Sequence, residues 1–346
     1  MRVLFYTSIF QFQGGNGGRT VFLKTMESLR RRGIEVDLFD QWRCDFKRYD
    51  LVHCFTMETT SMWDYVKAVE GRLAVTPISW YGVYTTLRSR IIRAVKRRVR
   101  AKIKCPLHQW WEDYFRYPDV FFPQSDVQAQ QLAVAFGVPP QKTIVVYHGV
   151  DERFADASPA AFVQAFKREG FVLCVARFEP RKNQLGLIRA LRGTGVPLVF
   201  IGQPDNERFE PYYRQCVGEA DPSTLFIKDL PHDSDLMRSA YAAARVFVLP
   251  SHVEFPGLAA LEAGLAGCRV AMTRGGCSRE YLGDHAAYFD PYSEAEIRTV
   301  TLQAFQESGP RDGALRDHIA RNFLWDTVTR RNVEGYEMIL DSARSR

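Results

Sequence analysis

Short apolar runs alternate with longer helical patterns along almost the whole chain. Such runs are typical of buried strands, and the spacing between them is typical of amphipathic helices. The first run, Val3–Tyr6, precedes a glycine-rich turn at residues 14–18 and a helix predicted over Thr20–Arg32. Further strands are predicted at Ile34–Phe39, Leu51–Phe55, Leu73–Ile78, Val120–Pro123, Thr143–Tyr147, Phe171–Ala176, Pro197–Ile201, Leu225–Ile227, Val246–Leu249 and Arg269–Met272.

This alternation predicts an α/β fold with parallel sheets covered by helices on both faces. The pattern restarts after His148-Gly149-Val150-Asp151, so we expect two Rossmann-like, doubly wound domains with a boundary near residue 150. In sheets of this kind, ligands bind at the carboxyl ends of the strands. We therefore look for chemistry in the loops that follow the predicted strands.

Composition narrows the class of protein. Of 346 residues, 46% are hydrophobic and 25% charged, which excludes wholesale disorder and suggests about two domains. No apolar run reaches the ~18 residues of a membrane span, and the start of the chain lacks the features of a signal peptide. The seven cysteines form no C-x-x-C pair, which favours reduced thiols in the cytoplasm.

The positive charge is concentrated in one segment. The formal net charge is +6, yet nine basic residues and no acidic one lie between Arg88 and Lys104. If this segment is a helix, an apolar stripe lies opposite a basic face, and Trp110 and Trp111 follow closely. This pattern is typical of a helix at an anionic membrane surface; an ordinary solvated helix is the alternative, and no nucleic-acid-binding motif accompanies it. The basic face comprises Arg90, Arg93, Lys96, Arg97, Arg100 and Lys104.

Two glutamates at a spacing of eight form the strongest chemical signal. Glu254 lies in the loop after a predicted strand, and Glu262 lies in the helix that Gly257 opens. A carboxylate can accept hydrogen bonds from two neighbouring sugar hydroxyls. The alternative is a helix-capping acid followed by a surface glutamate, but Glu262 is flanked by Ala, Leu and Gly. A charge in such surroundings must be paired or bound to a ligand.

A second signal follows the first strand of the C-terminal half. Arg177 lies at the end of that strand and Lys182 at the start of the next predicted helix, where the two cations can hold a diphosphate. A solvated turn is the alternative. The glycines at 14–18 also allow close approach to a phosphate, although the spacing is not G-x-G-x-x-G and no P-loop lysine follows. That departure disfavours a nicotinamide-dependent dehydrogenase.

Together these features resemble the retaining glycosyltransferases of family 4, of the bacterial surface-polysaccharide type, which have the GT-B fold. The resemblance rests on the E-x7-E motif, the Arg177 and Lys182 pair and the glycine loop. It implies two Rossmann-like domains facing each other across a cleft. Residues 1–150 would bind the acceptor and be closed by a C-terminal helix of about 326–346, and residues 151–325 would bind the donor.

The resemblance also implies roles for individual residues. Arg177 and Lys182 would hold the donor diphosphate, Glu262 the ribose hydroxyls and Glu254 the donor sugar, with Glu254, Arg177 and Lys182 as the catalytic set. The segment Phe255, Pro256, Gly257 and Leu258 would supply backbone N–H groups. Gly14 and Gly15 would approach the diphosphate, and the base would lie near Gly202, Gln203, Lys228 and Leu230.

The implied activity is transfer of a hexose from a UDP- or GDP-linked sugar to a lipid-linked or polysaccharide acceptor in lipopolysaccharide or capsule synthesis. We expect no cofactor, no metal and no nucleic acid, and a cytoplasmic enzyme peripheral to the inner face of the bacterial membrane. Many family members have a histidine near the reacting carbon, whereas residues 75–81 contain none and His53 lies in a predicted strand. The alternatives are a catalytically weak module that binds a nucleotide sugar or a partner, and a soluble transferase acting on a small molecule.

Overall fold

The computed structural model describes residues 1–7, 17–56, 60–68, 71–78, 115, 117–228, 230–255, 257–307 and 313–344. The strands are β1 Arg2–Thr7, β2 Glu35–Leu38, β3 Leu51–Phe55, β4 Leu73–Thr76, β5 Val120–Phe121, β6 Val172–Val175, β7 Leu198–Ile201, β8 Leu225–Ile227, β9 Val246–Leu249, β10 Arg269–Thr273 and β11 Ala287–Phe289. The helices are α1 Gly17–Arg31, α2 Thr60–Ala68, α3 Asp126–Phe136, α4 Ala160–Phe166, α5 Gln184–Leu191, α6 Glu210–Glu219, α7 Asp235–Ala243, α8 Leu258–Leu265, α9 Ser278–Leu282, α10 Glu294–Gln306, α11 Gly313–Asn322, α12 Trp325–Val328 and α13 Arg330–Arg344.

The chain forms two compact units. The first unit contains Met1–His148 and Trp325–Arg346, and the second contains Gly149–Leu324. The α/β class predicted from the alternation is confirmed, because each unit has one sheet whose described strand pairs are all parallel. Among the described residues, no helix is both long and apolar enough to span a membrane.

The sheet of the first unit has the strand order β2-β1-β3-β4-β5. Every residue of β3 and β4 is buried, as expected for central strands covered on both faces. His53 of β3 belongs to this core: its Nδ1 lies 2.6 Å from the hydroxyl of Tyr336 on α13, and its Nε2 lies 2.8 Å from Oγ1 of Thr76. Burial lowers the pKa of His53 to about 3, so this histidine is a neutral packing residue.

The strand predicted at Thr143–Tyr147 is wrong. Ile144 and Val146 donate their N–H groups to the carbonyls of Phe121 and Pro123, but only Thr143 forms a bridge, to Phe121. Pro123 has no N–H with which to return a hydrogen bond, so the ladder cannot continue past the end of β5. The segment runs beside the sheet as irregular chain.

The sheet of the second unit has the order β11-β10-β9-β6-β7-β8. In chain order within the unit this is 6-5-4-1-2-3, the arrangement of dinucleotide-binding sheets, with the order reversing between β6 and β9. Strand β11 was not predicted, because only its last residue, Phe289, is buried and its sequence is short. The reversal point matters for function, since crevices form where neighbouring loops leave the sheet in opposite directions.

Candidate functional site

Two loops meet where the strand order of the second unit reverses. The loop after β6 ends in a 3₁₀ turn, Pro180–Lys182, and the loop after β9 carries Glu254. The ammonium of Lys182 hydrogen-bonds to the carboxylate of Glu254, and the N–H of His252 donates to the carbonyl of Arg181 at 2.9 Å. The structure therefore brings together a cation and an acid that the sequence placed 72 residues apart. Lys182 lies just before α5 rather than within it.

Glu254 is an almost fully buried carboxylate whose position is fixed through its backbone. It is 4% exposed, its N–H donates to the carbonyl of Gly275 at 3.1 Å, and its carbonyl accepts from Cys277 at 3.2 Å. Burial alone raises the pKa of Glu254, but the charge and hydrogen bond of Lys182, with the guanidinium of Arg181 at 3.8 Å, outweigh burial and hold the pKa below its usual value. The site thus contains a charged acid with little solvent around it.

Two glycines are required by the geometry around Glu254. Gly276 has φ +105°, and a Cβ there would lie 2.0 Å from the carbonyl oxygen of Glu254. Gly257, at φ +83°, begins α8, and a Cβ there would lie 2.8 Å from the side chain of Leu249. Side chains at these positions would displace the loop, so the local sequence is adapted to close backbone packing beside the acid.

Glu262 lies in α8 and is 5% exposed. Its two oxygens contact different partners: Oε2 accepts from the hydroxyl of Tyr241 at 2.8 Å, and Oε1 lies 2.5 Å from Nε2 of His232. The hydrogen bond and charge of Glu262 raise the pKa of His232 against the opposing effect of burial. This pairing confirms the expectation that a charge in this apolar helix is compensated.

Arg177 follows β6 and is about one third exposed. Its guanidinium forms an ion pair with Asp205 at 2.6 Å, and Glu179 lies 3.8 Å away. Because Asp205 follows β7, the next strand in the sheet, this pair also lies at the carboxyl edge. An anionic ligand that binds Arg177 must compete with these two carboxylates.

The residues predicted to lie near a nucleotide base follow the ends of β7 and β8. Gly202 directly follows β7 at φ +143°, where a Cβ would lie 2.1 Å from the carbonyl oxygen of Ala176. The carbonyl of Gln203 accepts a hydrogen bond from Phe178 at 3.0 Å. Lys228 follows β8 with its ammonium 4.0 Å from the centre of the Tyr213 ring, and half-buried Leu230 lies in the loop after it.

Several predicted site residues lie outside the described residues. These are Gly14, Gly15, Pro256 and the membrane segment with Arg90, Arg93, Lys96, Arg97, Arg100, Trp110 and Trp111. The inclusion of Pro256 among the backbone N–H donors was wrong on chemical grounds, since proline has no N–H. Of the other three, Phe255 lies in the loop beside Glu254, Gly257 opens α8 and Leu258 is its first residue. No cluster of three His, Cys, Asp or Glu side chains suited to a metal occurs within the described part of the chain.

The partners of Glu262 and Arg177 were missed in the sequence. Tyr241 is the one large residue in the stretch Ser239-Ala240-Tyr241-Ala242-Ala243, and that contrast is a signal for a specific contact. His232 and Asp205 each lie in a loop that follows a predicted strand, at the edge where ligands bind. A search for polar residues at every strand end would have found both.

Comparisons with known proteins show what the chain is similar to. Residues 160–314 match the family described as "Glycosyl transferases group 1". The O-antigen chain mannosyltransferase B of Escherichia coli is 26% identical over 228 residues, which are 62% of this chain and 59% of that protein. A D-inositol 3-phosphate glycosyltransferase of Kribbella flavida is 32% identical over 169 residues, 44% of this chain and 39% of that protein. The chain thus matches less than two thirds of the length of these relatives.

Solved structures share the fold over the whole chain. The sucrose-phosphate synthase of Thermosynechococcus elongatus superposes with a TM-score of 0.76 at 14% identity, covering 99% of both chains. Anabaena Alr3699/HepE in complex with UDP-glucose has a TM-score of 0.74 at 14% identity, covering 100% of both chains. At such identity the likeness shows the fold alone, and that fold is the GT-B fold of glycosyltransferases.

Proposed function

We propose that this chain, whose residues 160–314 match the glycosyl transferases group 1 family, is a retaining, metal-independent hexosyltransferase that uses a nucleoside diphosphate sugar. The observation that carries the proposal is the buried pair of Lys182 and Glu254 at the reversal point of the second sheet, with Arg177 on the same edge. A charged acid and two cations at such an edge suit a sugar joined to a diphosphate.

Each charged group has a proposed task. Lys182 has three N–H donors, of which one contacts Glu254, and Arg177 offers a planar fork for phosphate oxygens. When the bond between sugar and diphosphate breaks, negative charge develops on the phosphate, and fixed cations lower the energy of that state. Glu254 accepts hydrogen bonds from hydroxyls of the donor sugar, and Glu262 accepts them from the ribose. Neutralisation by side chains is the reason we propose a reaction without a metal.

We further propose a lipid-linked glycan as the acceptor and the inner face of the bacterial cytoplasmic membrane as the place of reaction. Support comes from the relatives in Escherichia coli, which are named as O-antigen chain and serotype-specific mannosyltransferases. The run of nine basic residues between Arg88 and Lys104 supports attachment to an anionic surface. The donor nucleotide is proposed as UDP or GDP, and Alr3699/HepE is a structural neighbour with bound UDP.

Nucleotide binding is the first experiment. Thermal unfolding is followed with UDP, GDP, ADP, CMP and dTDP, each in the presence of a chelator. A ligand at 100 times its dissociation constant stabilises by about 2.7 kcal/mol, which is readily visible as a higher Tm. We expect one nucleoside diphosphate to raise the Tm, and we expect Arg177→Ala and Glu262→Ala to weaken that effect. The control is Arg189→Ala, which should leave the effect unchanged. Arg189 lies in the last turn of α5 and pairs with Glu219.

Transfer itself is measured with the identified nucleotide's sugars and a lipid-linked acceptor in anionic vesicles. We expect transfer with the chelator present, an anomeric configuration in the product equal to that in the donor, and almost complete loss in Arg177→Ala and Lys182→Ala. Nucleotide binding without transfer would favour the catalytically weak module. Equal rates with soluble and vesicle-bound acceptors would favour the soluble transferase.

A further inference from the structure

We infer that His232 is a positioning residue that orients Glu262 toward the ribose hydroxyls and so contributes to selection of ribonucleotides over 2′-deoxyribonucleotides. The inference rests on the proposed function, because it requires a nucleotide in the second unit. It adds a residue and a specificity that the E-x7-E motif does not contain.

The geometry gives Glu262 two unlike partners. Tyr241, on α7, is completely buried and approaches Oε2 from inside the unit. His232 lies in the loop between β8 and α7, its side chain is about half exposed, and it contacts Oε1. The carboxylate is therefore held from the interior by a phenol and from the solvent side by an imidazole.

The solvent side is where a ligand must arrive. The loop that carries His232 begins with Lys228 and Leu230, the residues proposed to lie near the base. The ring of Phe154 lies 6.3 Å from the His232 ring, centre to centre, and 5.6 Å from that of Tyr241. Phe154 is thus a common aromatic neighbour of both partners of Glu262.

Orientation of Glu262 matters because hydrogen bonds depend on direction. A carboxylate has about four acceptor positions, so two protein donors leave about two for a pair of neighbouring hydroxyls. A carboxylate oxygen accepts, so Nε2 of His232 is the donor in this contact, and the raised pKa of His232 agrees with that assignment. Without His232, Oε1 loses its partner on the solvent side, and the carboxylate can turn away from the hydroxyls.

The experiment compares ribose and deoxyribose ligands in matched variants. Dissociation constants for UDP, 2′-deoxy-UDP, GDP and 2′-deoxy-GDP are measured by calorimetry with the wild type, His232→Ala and His232→Gln. We expect the wild type to prefer the ribonucleotide. His232→Ala should bind the ribonucleotide about 10-fold more weakly, whereas its dissociation constant for the 2′-deoxy form should change less than about 3-fold. His232→Gln keeps an N–H donor and should restore most of the preference.

Further variants separate positioning from folding. Tyr241→Phe removes only the hydroxyl on the other oxygen and is expected to reduce the same preference, whereas His285→Ala, at an exposed histidine of the same unit, should leave it intact. The Tm of each variant without ligand controls for damage to the fold.

The outcomes distinguish the inference from the proposed function. Equal weakening of both sugar forms in His232→Ala, or an unchanged preference, would overturn the role of His232 while leaving nucleotide binding in place. A wild type that binds neither these four nucleotides nor any other of the thermal-unfolding panel would overturn the proposed function, and the inference with it.

Discussion

The pairing of Lys182 with Glu254 provides a direct test of the site, because it can be broken without changing the shape of the chain very much. In Lys182→Met, an apolar side chain of similar length replaces a mostly buried ammonium and leaves a carboxylate that is 4% exposed. The only other cation described beside that carboxylate is Arg181, at 3.8 Å with a half-exposed side chain. The variant therefore contains a buried charge that is poorly compensated.

The expected loss of stability follows from this geometry. Removing one partner of a buried pair costs about 3–5 kcal/mol, and since Arg181 remains we take the lower end, about 3 kcal/mol. For a folding unit of this length, about 1 kcal/mol corresponds to 2–4 °C, so the Tm should fall by roughly 6–12 °C at pH 7.5. In the wild type the pKa of Glu254 is lowered, so its contribution to stability is present above its unfolded pKa and is lost as the pH falls through the folded value.

In Lys182→Met we expect the pKa shift of Glu254 to reverse, because burial, the largest effect, then raises the pKa against the weaker opposing charge of Arg181. The deficit relative to the wild type should consequently shrink as the pH is lowered from 8 to 5. The double variant Lys182→Met with Glu254→Gln removes the uncompensated charge and should recover the wild-type free energy of unfolding to within about 1 kcal/mol, without recovering transfer. A double variant as unstable as the single one, or a deficit independent of pH, would refute the reasoning.

Three further changes test other parts of the structure. Asp205→Asn removes the half-exposed competitor of Arg177, and titration calorimetry should show a nucleoside diphosphate binding up to about 5-fold tighter, the upper range for such a pair. Gly276→Ala should destabilise the second unit by at least about 2 kcal/mol in urea unfolding and abolish transfer, because its Cβ would meet the Glu254 carbonyl. Buried His53, whose pKa is about 3, makes its full contribution to the stability of the fold above pH 6.5 and a smaller one as the pH falls toward 3. Between pH 7 and pH 5, the free energy of unfolding of His53→Gln should therefore fall by about 2 kcal/mol less than that of the wild type.

Controls for these changes lie elsewhere in the chain. Gly218→Ala, in α6 with open space around the glycine, should stabilise the protein by about 0.5–1 kcal/mol, so a loss there would indicate a general intolerance of alanine. Asp205→Glu keeps the charge and should not tighten nucleotide binding. His148, which is also buried with a pKa of about 3, retains its own pH dependence in His53→Gln and contributes to the pH dependence that remains.

Much of the fold was predictable because the buried strands of a parallel sheet give a clear apolar pattern in the local sequence. Fully buried strands such as β7 and β9 consist of uninterrupted apolar residues, and the helices between them restore the amphipathic spacing. The errors occur where this apolar pattern is short, or where a neighbouring residue prevents the strand from pairing. The segment at Thr143–Tyr147 has the composition of a strand, but the proline in its neighbour prevents a ladder, while β11 is short and only partly buried.

The acids of the site were predictable for a similar reason: Glu254 and Glu262 lie in one continuous strand, loop and helix, so their spacing is visible along the chain. Their partners were only partly visible. Lys182 was singled out as a cation, but nothing in its own segment indicates that it contacts Glu254 72 residues later. That contact depends on β6 and β9 being neighbours in the sheet, which is a property of the strand order and not of either loop.

The ion pairs formed by the charged residues of the site are informative about function. The charged side chains proposed to bind the ligand already have protein partners: Lys182 has Glu254, Arg177 has Asp205, and Glu262 has His232. Buried pairs of this kind contribute little net stability compared with apolar residues of equal volume, so stability alone does not account for them. Lys182 and Glu254 form such a buried pair, and their retention at the edge where ligands bind is expected if the pair holds both charges ready for a substrate that carries phosphate and hydroxyl groups. The double variant described above should therefore be nearly as stable as the wild type but inactive, which distinguishes the effect of the pair on stability from its role in transfer.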